Sequence, residues 1–249
     1  MNTNSKEYLQ EVQYDFPYHH LTYEENGALY IFKHLFWGLE HYTYIQYVIS
    51  QVLQIKYESL LDVGCGEGRI ISELENKNRR SKHHGVDISE KAIRFANAFN
   101  ERSSFSVHDI TQSPLSEKFD TIISCEVIEH IPPEKVSLYI SNIAKSLSSG
   151  GNFIVTTPTT NVPVNKKHYQ HFTREIFEEL LSKEFTIKKV SYLNRVNLFS
   201  KILSRLLANR FYISNSKVLN KFVLKTYRNN LLIGKSDTGS RIFVHATKI

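Results

Sequence analysis

One short segment, residues 124–132, holds the side chains best suited to acid–base or metal chemistry. It carries Glu126, Glu129 and His130 at spacings of three and four residues, which can place all three on one face of a helical turn. Imidazole has an unperturbed pKa of about 6.5, so His130 could act as a general base for a hydroxyl group. Carboxylate and imidazole together also suit Mn²⁺, Fe²⁺ or Zn²⁺. The segment predicts either a proton-transfer site or a divalent-metal site.

A second group of residues is typical of a ligand-binding turn. Residues 61–69 read LDVGCGEGR, with a glycine at every second position from Gly64 to Gly68. Glycine lets a ligand approach the backbone without a Cβ in the way, and a following helix points its first N–H groups at that ligand. The fingerprint G-x-G-x-x-G of dinucleotide-binding folds fails because its last position is Arg69.

Alternating strands and amphipathic helices must position these groups. The apolar runs predict five strands, at residues 60–63, 84–87, 105–108, 119–124 and 153–156. Ser89 is predicted to cap one intervening helix, and Pro132 with Pro133 to begin another, which Gly150 and Gly151 end. Such alternation predicts an α/β domain with a parallel sheet between helices. Its ligands are expected beyond the carboxyl ends of the strands.

The flanking segments extend this core. Residues 28–55 are predicted to be helical, and the aromatic residues before them predict a lid over the ligand: Tyr14, Tyr18, His19 and His20. After the fifth strand we expect a loop at 158–171, a helix at 173–183, a strand at 185–192 and a last strand at 242–247.

A helical insertion is predicted at residues 197–233, before the last strand, where it could line the acceptor site or form a dimer contact. Its basic residues are expected to face the acceptor side. We assign residues 1–56 to an N-terminal cap and residues 57–249 to the main domain. The fold class is therefore α/β, with a helical and aromatic N-terminal cap and a C-terminal helical insertion.

The glycine-rich turn resembles motif I of the class I S-adenosylmethionine-dependent methyltransferases. The likeness includes Asp62, two residues before the first glycine, and spans about residues 57–192. It implies the Rossmann-like fold of that family, with a seven-stranded, mostly parallel sheet and helices on both faces. It also implies S-adenosylmethionine as cofactor and S-adenosylhomocysteine as product.

Two further acids fall where that family places them, each after a predicted strand. The resemblance implies that Asp87 contacts the cofactor ribose and that Asp109, with Ile110, contacts the adenine. Either acid alone is more often a strand-end cap or a turn residue. Asp62, Asp87 and Asp109 together, each at a strand end and in the order that the family has, favour the resemblance. The implied cofactor-binding residues are Asp62, Gly64, Cys65, Gly66, Gly68, Asp87, Ile88, Asp109, Ile110 and Glu126.

The segment CEVIEHIP, beginning at Cys125, resembles a stretch of many small-molecule O-methyltransferases, including those of ubiquinone biosynthesis. The likeness implies that Glu126 receives the amino group of the cofactor and that His130 lies near the methyl-transfer site. His171 and Tyr169, from the later loop, are rival candidates for the catalytic base. His130 could instead be a buried residue that orients its loop.

The same residues also resemble a metal site. Methyltransferases that modify the 3′-terminal ribose of small RNAs carry E-x-x-E-H here, and the likeness implies a divalent metal on Glu126, Glu129, His130 and His171. A later H-x-x-H-F-T segment also occurs in bacterial enzymes that act on sugars and metabolites, generally without a metal. We adopt the interpretation without a metal.

Charge and cysteine content narrow the class of protein. The net charge is +6, and residues 185–236 hold eleven basic side chains and no acid. That asymmetry indicates an anionic partner or, equally, a solvated helix face. Cys65 and Cys125 end buried strands, where thiols act as small hydrophobes, so a reducing cytoplasm is expected. Neither a secretory start nor a membrane span is expected.

The sequence predicts an enzyme that methylates a hydroxyl or phosphate-type oxygen of a small anionic acceptor, such as a nucleotide-linked sugar or another polysaccharide precursor. The alternatives are a metal-dependent RNA ribose methyltransferase and a scaffold that binds the cofactor without turnover. A small molecule is the expected partner, ahead of nucleic acid, and a homodimer is possible. The acceptor's identity, O- or N-methylation and the oligomeric state stay open.

Overall fold

The computed structural model describes residues 5–15, 22–30, 35–208 and 216–249. The helices are α1 (Lys6–Glu11), α2 (Leu35–Val52), α3 (Arg69–Lys77), α4 (Glu90–Phe99), α5 (Pro133–Ser146), α6 (Arg174–Leu181), α7 (Leu198–Leu207) and α8 (Lys217–Asn230). The strands are β1 (Tyr23–Glu25), β2 (Ala28–Tyr30), β3 (Ser59–Val63), β4 (Lys82–Asp87), β5 (Ser104–Val107), β6 (Phe119–Cys125), β7 (Leu147–Pro158), β8 (Phe185–Arg195) and β9 (Gly239–Lys248). Short 3₁₀ turns lie at Val12–Asp15 and Ile128–His130.

Seven strands form one sheet in the order β5-β4-β3-β6-β7-β9-β8. The strands from β5 to β7 pair in parallel, whereas β9 is antiparallel to both β7 and β8. The carboxyl ends of β3, β4 and β6 therefore meet at one edge, where this type of sheet binds its ligands. The predicted α/β class and the mostly parallel, seven-stranded sheet are confirmed.

Apolar side chains on both faces of the sheet hold the helices in place. Ile140 and Ile143 of α5 pack with Phe153 on one face. On the other face, Val48 of α2 and Ile70 of α3 pack against the same central strands. Because both faces are buried, the central strands read as continuous apolar runs in the sequence.

Two predicted local features are confirmed. The Ser89 side chain accepts a hydrogen bond from the backbone N–H of Ala92 at 3.2 Å and so caps α4. Pro133 begins α5, where the missing proline N–H costs no helical hydrogen bond.

The prediction that residues 28–55 are helical is wrong at its start. Ala28–Tyr30 is strand β2, which pairs antiparallel with Tyr23–Glu25. Asn26 and Gly27 connect the two strands with φ of 51° and 79°, the signs that a tight hairpin turn requires. An Asn-Gly pair is a strong hairpin signal, and it overrides the helical spacing of the apolar residues that follow it.

The expected helix stop at Gly150 and Gly151 is also wrong. Helix α5 ends earlier, at Ser146, and both glycines lie within β7. Leu147 is buried and pairs with Phe119 of β6, so sheet pairing begins before the glycines are reached.

The predicted insertion consists of α7 and α8, between β8 and β9, with residues 209–215 outside the described part. Leu203 and Leu207 of α7, with Val223 and Leu224 of α8, pack into a cluster that includes Leu29 of the hairpin. The division of the chain at residue 56 stays a prediction. No helix within the described residues is long and apolar enough to span a membrane.

Candidate functional site

A cavity of about 980 Å³ lies at the carboxyl ends of the parallel strands. Its lining includes nine of the ten predicted cofactor residues: Asp62, Gly64, Cys65, Gly66, Asp87, Ile88, Asp109, Ile110 and Glu126. The tenth, Gly68, precedes α3 as its N-cap. The structure thus brings the residues of four strand ends together around one space.

Two glycines of the turn that line the cavity, Gly64 and Gly66, leave little room for a side chain. A Cβ on Gly64 would lie 2.2 Å from Cγ2 of Val127, and φ at this residue is +73°. A Cβ on Gly66 would lie 3.3 Å from the hydroxyl oxygen of Tyr14, with φ at +53°. Side chains at either position would need strained backbone and would narrow the cavity.

The two cysteines are poor nucleophiles. Burial raises the pKa of the Cys65 thiol and of the Cys125 thiol well above the ordinary value. Because the thiolate is the reactive form, thiol chemistry at either position is disfavoured at neutral pH.

Asp62 is a buried carboxyl with an unsatisfied atom. Its side chain is 1% exposed, and Oδ2 has no hydrogen-bond partner among the described residues. Burial, followed by the nearby charge of Asp87, raises the pKa of Asp62 to about 8. An unsatisfied buried oxygen is costly unless a donor reaches it, so binding of a ligand donor at Asp62 stays a prediction that this atom favours.

Asp87 is tied to the backbone of the two turns beside it. Its carboxylate accepts hydrogen bonds from the N–H groups of Gly66 and Ser89, each at 2.9 Å. Burial raises the pKa of Asp87, and these two hydrogen bonds oppose the shift. Ile88 is 63% exposed on the cavity wall, a large apolar surface for a ligand to cover.

Asp109 forms the local turn that such an acid commonly makes. It accepts hydrogen bonds from the backbone N–H and the hydroxyl of Thr111, at 2.9 and 2.7 Å. Ile110 is buried beside it. Contact of Asp109 with an adenine stays a prediction, because the turn alone accounts for the acid.

Glu126 is paired with a residue that the sequence analysis missed. Its Oε2 lies 2.9 Å from Nε of Arg241, and the hydroxyl of Thr156 donates to its Oε1 at 3.3 Å. Burial alone would lower the pKa of Arg241, but the carboxylates of Glu126 and Glu40 raise it above its ordinary value. Arg241 reaches the cavity because β9 lies beside β7, a pairing that residue spacing does not reveal.

His130 is held in one tautomer. Its Nδ1 lies 3.2 Å from the carbonyl oxygen of Lys167, and since a carbonyl only accepts, Nδ1 must carry the proton. Nε2 is then the basic nitrogen. Burial lowers the pKa of His130 below its ordinary value, so the ring is neutral at pH 7.

The loop after β7 brings two more histidines to the cavity. Nδ1 of His171 donates to the carbonyl oxygen of Val162 at 3.0 Å, and its Nε2 lies 2.8 Å from Nδ1 of His168. Burial, followed by the neighbouring His130 and His171, lowers the pKa of His168 to about 3. Tyr169 is not among the described residues that line the cavity, and the ammonium of Lys6 lies 4.7 Å from the centre of its ring.

The histidine that joins the possible metal ligands differs from the expected one. Ligand atoms of Glu129, His130 and His168 lie within 4.8 Å of one another. Glu126 instead pairs with Arg241, and His171 hydrogen-bonds to His168. Burial, then the charge of Glu126, raises the pKa of Glu129 well above its ordinary value, so a metal would have to displace its proton.

The N-terminal segment contributes to the cavity wall. Gln10, Gln13 and Tyr14 line it, and Tyr14 is buried. The ammonium of Lys91 on α4 lies 2.7 Å from the carboxylate of Asp15, beside Tyr14 in the chain. The other predicted lid residues, Tyr18, His19 and His20, lie outside the described residues.

The expectation that the insertion turns its basic side chains toward the acceptor is wrong for the residues described. None of Lys201, Arg205, Lys217, Lys221, Lys225 and Arg228 lines the cavity, and Arg210 lies outside the described residues. The inner faces of α7 and α8 are taken up by apolar packing, and Arg228 of α8 forms an ion pair with Glu24 of the hairpin at 2.6 Å. Other basic residues line the cavity instead: Arg69, Lys135, Lys166, Lys167 and Arg241.

Comparison with known sequences agrees with this architecture. Residues 56–216 match a family model described as a methyltransferase domain. The chain is 30% identical over 123 residues to the ubiquinone biosynthesis O-methyltransferase of Coxiella burnetii, covering 45% of this chain and 49% of that protein. It is 32% identical over 105 residues to the tRNA N(3)-methylcytidine methyltransferase of Schizosaccharomyces pombe, covering 39% and 42%. The chain thus spans less than half the length of these two relatives.

Solved structures share the fold. The magnesium protoporphyrin IX methyltransferase of Synechocystis, crystallised with bound S-adenosylhomocysteine, superposes with a TM-score of 0.56. The match covers 85% of each chain at 19% identity.

Proposed function

The chain belongs to the class I S-adenosylmethionine-dependent methyltransferases, and we propose that it methylates a hydroxyl or phosphate-type oxygen of a small anionic acceptor, such as a nucleotide-linked sugar. The observation that carries this proposal is His130, a neutral imidazole locked in one tautomer on a cavity wall that also holds lysines.

The residues around the glycine turn fit the cofactor. Asp62 offers its unpartnered buried oxygen to the cofactor's amino group, a role for which Glu126 is less suited because Arg241 already pairs with it. Asp87 has lone pairs left for the ribose hydroxyls after its two backbone hydrogen bonds. Ile88 and Ile110 supply apolar surface for the adenine. The cofactor itself supplies an electrophilic methyl group on its sulfonium.

His130 is the proposed general base. Its Nε2 can take the proton of the acceptor hydroxyl as the oxygen attacks, because Lys167 fixes the proton of the same ring on Nδ1. The lowered pKa keeps the ring unprotonated at neutral pH. His171 is less suited, since both of its ring nitrogens already have partners.

Basic side chains near His130 support an anionic acceptor. Lys166 and Lys167 line the cavity from the loop after β7, and Lys135 lines it from α5. Three lysines in the lining of the cavity favour a ligand that carries phosphate or carboxylate groups. These lysines, and not the basic residues of the insertion, support an anionic acceptor.

To test the proposal, the full chain is incubated with S-adenosylmethionine and a panel of nucleotide-linked sugars, with the uncharged parent sugars as controls. Release of S-adenosylhomocysteine is the measurement of turnover. We expect turnover with charged acceptors only. Replacement His130→Ala should lower turnover by about 10²–10⁴-fold, the usual contribution of a general base, and leave cofactor affinity unchanged.

The matched control is His245→Ala, a histidine on β9 that hydrogen-bonds to Asn152 and is not among the described residues lining the cavity. It should turn over as the unaltered chain does. Equal turnover with uncharged sugars would contradict the anionic acceptor, and full turnover in His130→Ala would remove this base from the mechanism.

One observation favours a second candidate, a metal-dependent RNA ribose methyltransferase. Glu129, His130 and His168 present ligand atoms within 4.8 Å of one another, and Oε1 of Glu129 has no hydrogen-bond partner among the described residues. Turnover on an RNA 3′ end that is lost in EDTA and restored by Mn²⁺ would favour this candidate. Turnover on a nucleotide-linked sugar that is indifferent to EDTA would exclude it.

A further inference from the structure

The two insertion helices expose an unusual amount of apolar surface. On α7, Leu198 is 75% exposed and Ile202 is 49% exposed, while on α8 Val218 is 81% exposed and Phe222 is 66% exposed. Val218 and Leu198 are the most exposed large apolar residues in the part of the chain that the structure describes. In each helix the two residues are four apart, so they share one face.

The helices do not need these side chains for their packing. Leu203 and Leu207 attach α7 to the apolar cluster beside α2, and Val223 and Tyr227 attach α8 to it. The exposed residues lie on other faces of the helices. Their hydrophobic character therefore has no account within the fold, and exposed apolar helix faces of this kind are typical of interaction surfaces.

Cations accompany the apolar residues in a repeated pattern. A basic residue follows each of the four by three positions, next to it on the helix surface: Lys201, Arg205, Lys221 and Lys225. All four basic residues are exposed. No acid occurs between residues 185 and 236 to offset them.

We propose that α7 and α8 dock on the surface of an anionic lipid bilayer. The apolar residues would enter the boundary between headgroups and acyl chains, and the adjacent cations would contact lipid phosphates. Long basic side chains can reach the headgroups while their stems stay in the apolar layer. The contact is peripheral, because no described helix is able to cross the bilayer.

Other partners fit these residues less well. A twofold dimer would place the same patch against itself, and the cations of the two copies would then repel each other. Nucleic acid would satisfy the cations but would leave Val218 and Phe222 in water.

Docking would bring the cavity to the membrane. Val196 lines the cavity, and α7 begins two residues later at Leu198. The bilayer would then lie close to one wall of the cavity, where an acceptor carried by a lipid could enter.

Co-sedimentation of the full chain with vesicles tests the proposal. We expect binding to vesicles of equal phosphatidylglycerol and phosphatidylcholine, at least about tenfold weaker binding to phosphatidylcholine alone, and weakening by salt. The double variants Ile202→Ser/Phe222→Ser and Lys201→Glu/Lys221→Glu should each lower binding at least about tenfold. Unchanged thermal melting would show that the variants remain folded.

Two matched controls alter equivalent side chains elsewhere on the surface. Leu138→Ser removes an exposed leucine of α5, and Lys183→Glu reverses an exposed lysine outside the insertion. Both should bind vesicles as the unaltered chain does. The proposal is overturned if the chain does not sediment, if phosphatidylcholine alone binds it equally, or if the insertion variants bind normally. Loss of a solution dimer in Ile202→Ser/Phe222→Ser, without vesicle binding, would assign the patch to a second copy.

Discussion

Replacing Asp87 tests the cofactor assignment most directly. A hydrogen bond to a charged group contributes about 1.5–3 kcal/mol. The carboxylate could accept from two ribose hydroxyls, and water would replace part of what Asp87→Ala loses, so we expect a net loss of about 3 kcal/mol. By the relation of about 1.4 kcal/mol per tenfold, that is a cofactor affinity roughly 100-fold weaker. Titration calorimetry with S-adenosylmethionine measures this change.

Asp87→Ala also removes the carboxylate that accepts hydrogen bonds from two backbone N–H groups, so a matched control is needed. Asp120 provides it, because one of its oxygens accepts the N–H groups of Glu58 and Ser59 at 2.9 and 3.1 Å. It is not among the described residues that line the cavity. Asp120→Ala should lower the melting temperature about as much as Asp87→Ala but leave cofactor affinity unchanged. Unchanged affinity in Asp87→Ala, or an equal loss in Asp120→Ala, would refute the assignment of Asp87 to the ribose.

Three further predictions follow from the cavity. Deleting residues 1–26 should abolish turnover, because the deletion removes Tyr14 from the lining of the cavity. The far-ultraviolet circular dichroism spectrum should stay close to that of the full chain, and full activity would refute the lid. The pH profile of kcat/KM should fall on the acid side with a midpoint below 6.5, because burial lowers the pKa of His130 more than the Lys167 hydrogen bond and the charge of Glu126 raise it, and the base must be unprotonated. Arg241→Gln should destabilise the fold by about 2 kcal/mol. This loss is smaller than the loss expected on breaking a fully buried ion pair, because both partners are about a fifth exposed. The melting temperature should fall by about 4–8 °C, and an unchanged melting curve would show that the pair with Glu126 contributes little.

Much of the fold could be predicted from the sequence, since strongly periodic apolar runs define β3 to β7 and the helices between them. The hairpin was missed because an apolar run after Asn26 and Gly27 satisfies helical spacing as well as strand pairing. The end of α5 was misplaced because glycine is a common helix stop, whereas here pairing of Leu147 with Phe119 ends the helix first.

Some residues of the candidate site could likewise be predicted from the sequence, and others could not. Residues at the ends of parallel strands, such as Asp62 and Asp87, could be placed together because such ends share one edge of the sheet. Arg241 could not, because its position depends on β9 entering the sheet beside β7. The role of His168 was also missed, since the fold of a loop decides which of two histidines three residues apart turns toward His130.

The placement of β9 has a consequence for how the chain folds during synthesis. Although β9 follows β8 in the chain, it lies between β7 and β8 in the sheet. A nascent chain that has emerged only as far as β8 therefore exposes the edge of β7, with β8 lacking its partner. Exposed strand edges and apolar faces are the surfaces that chaperones protect. The same strand delivers Arg241, so the cavity could complete its charge pairing only after the final insertion of β9.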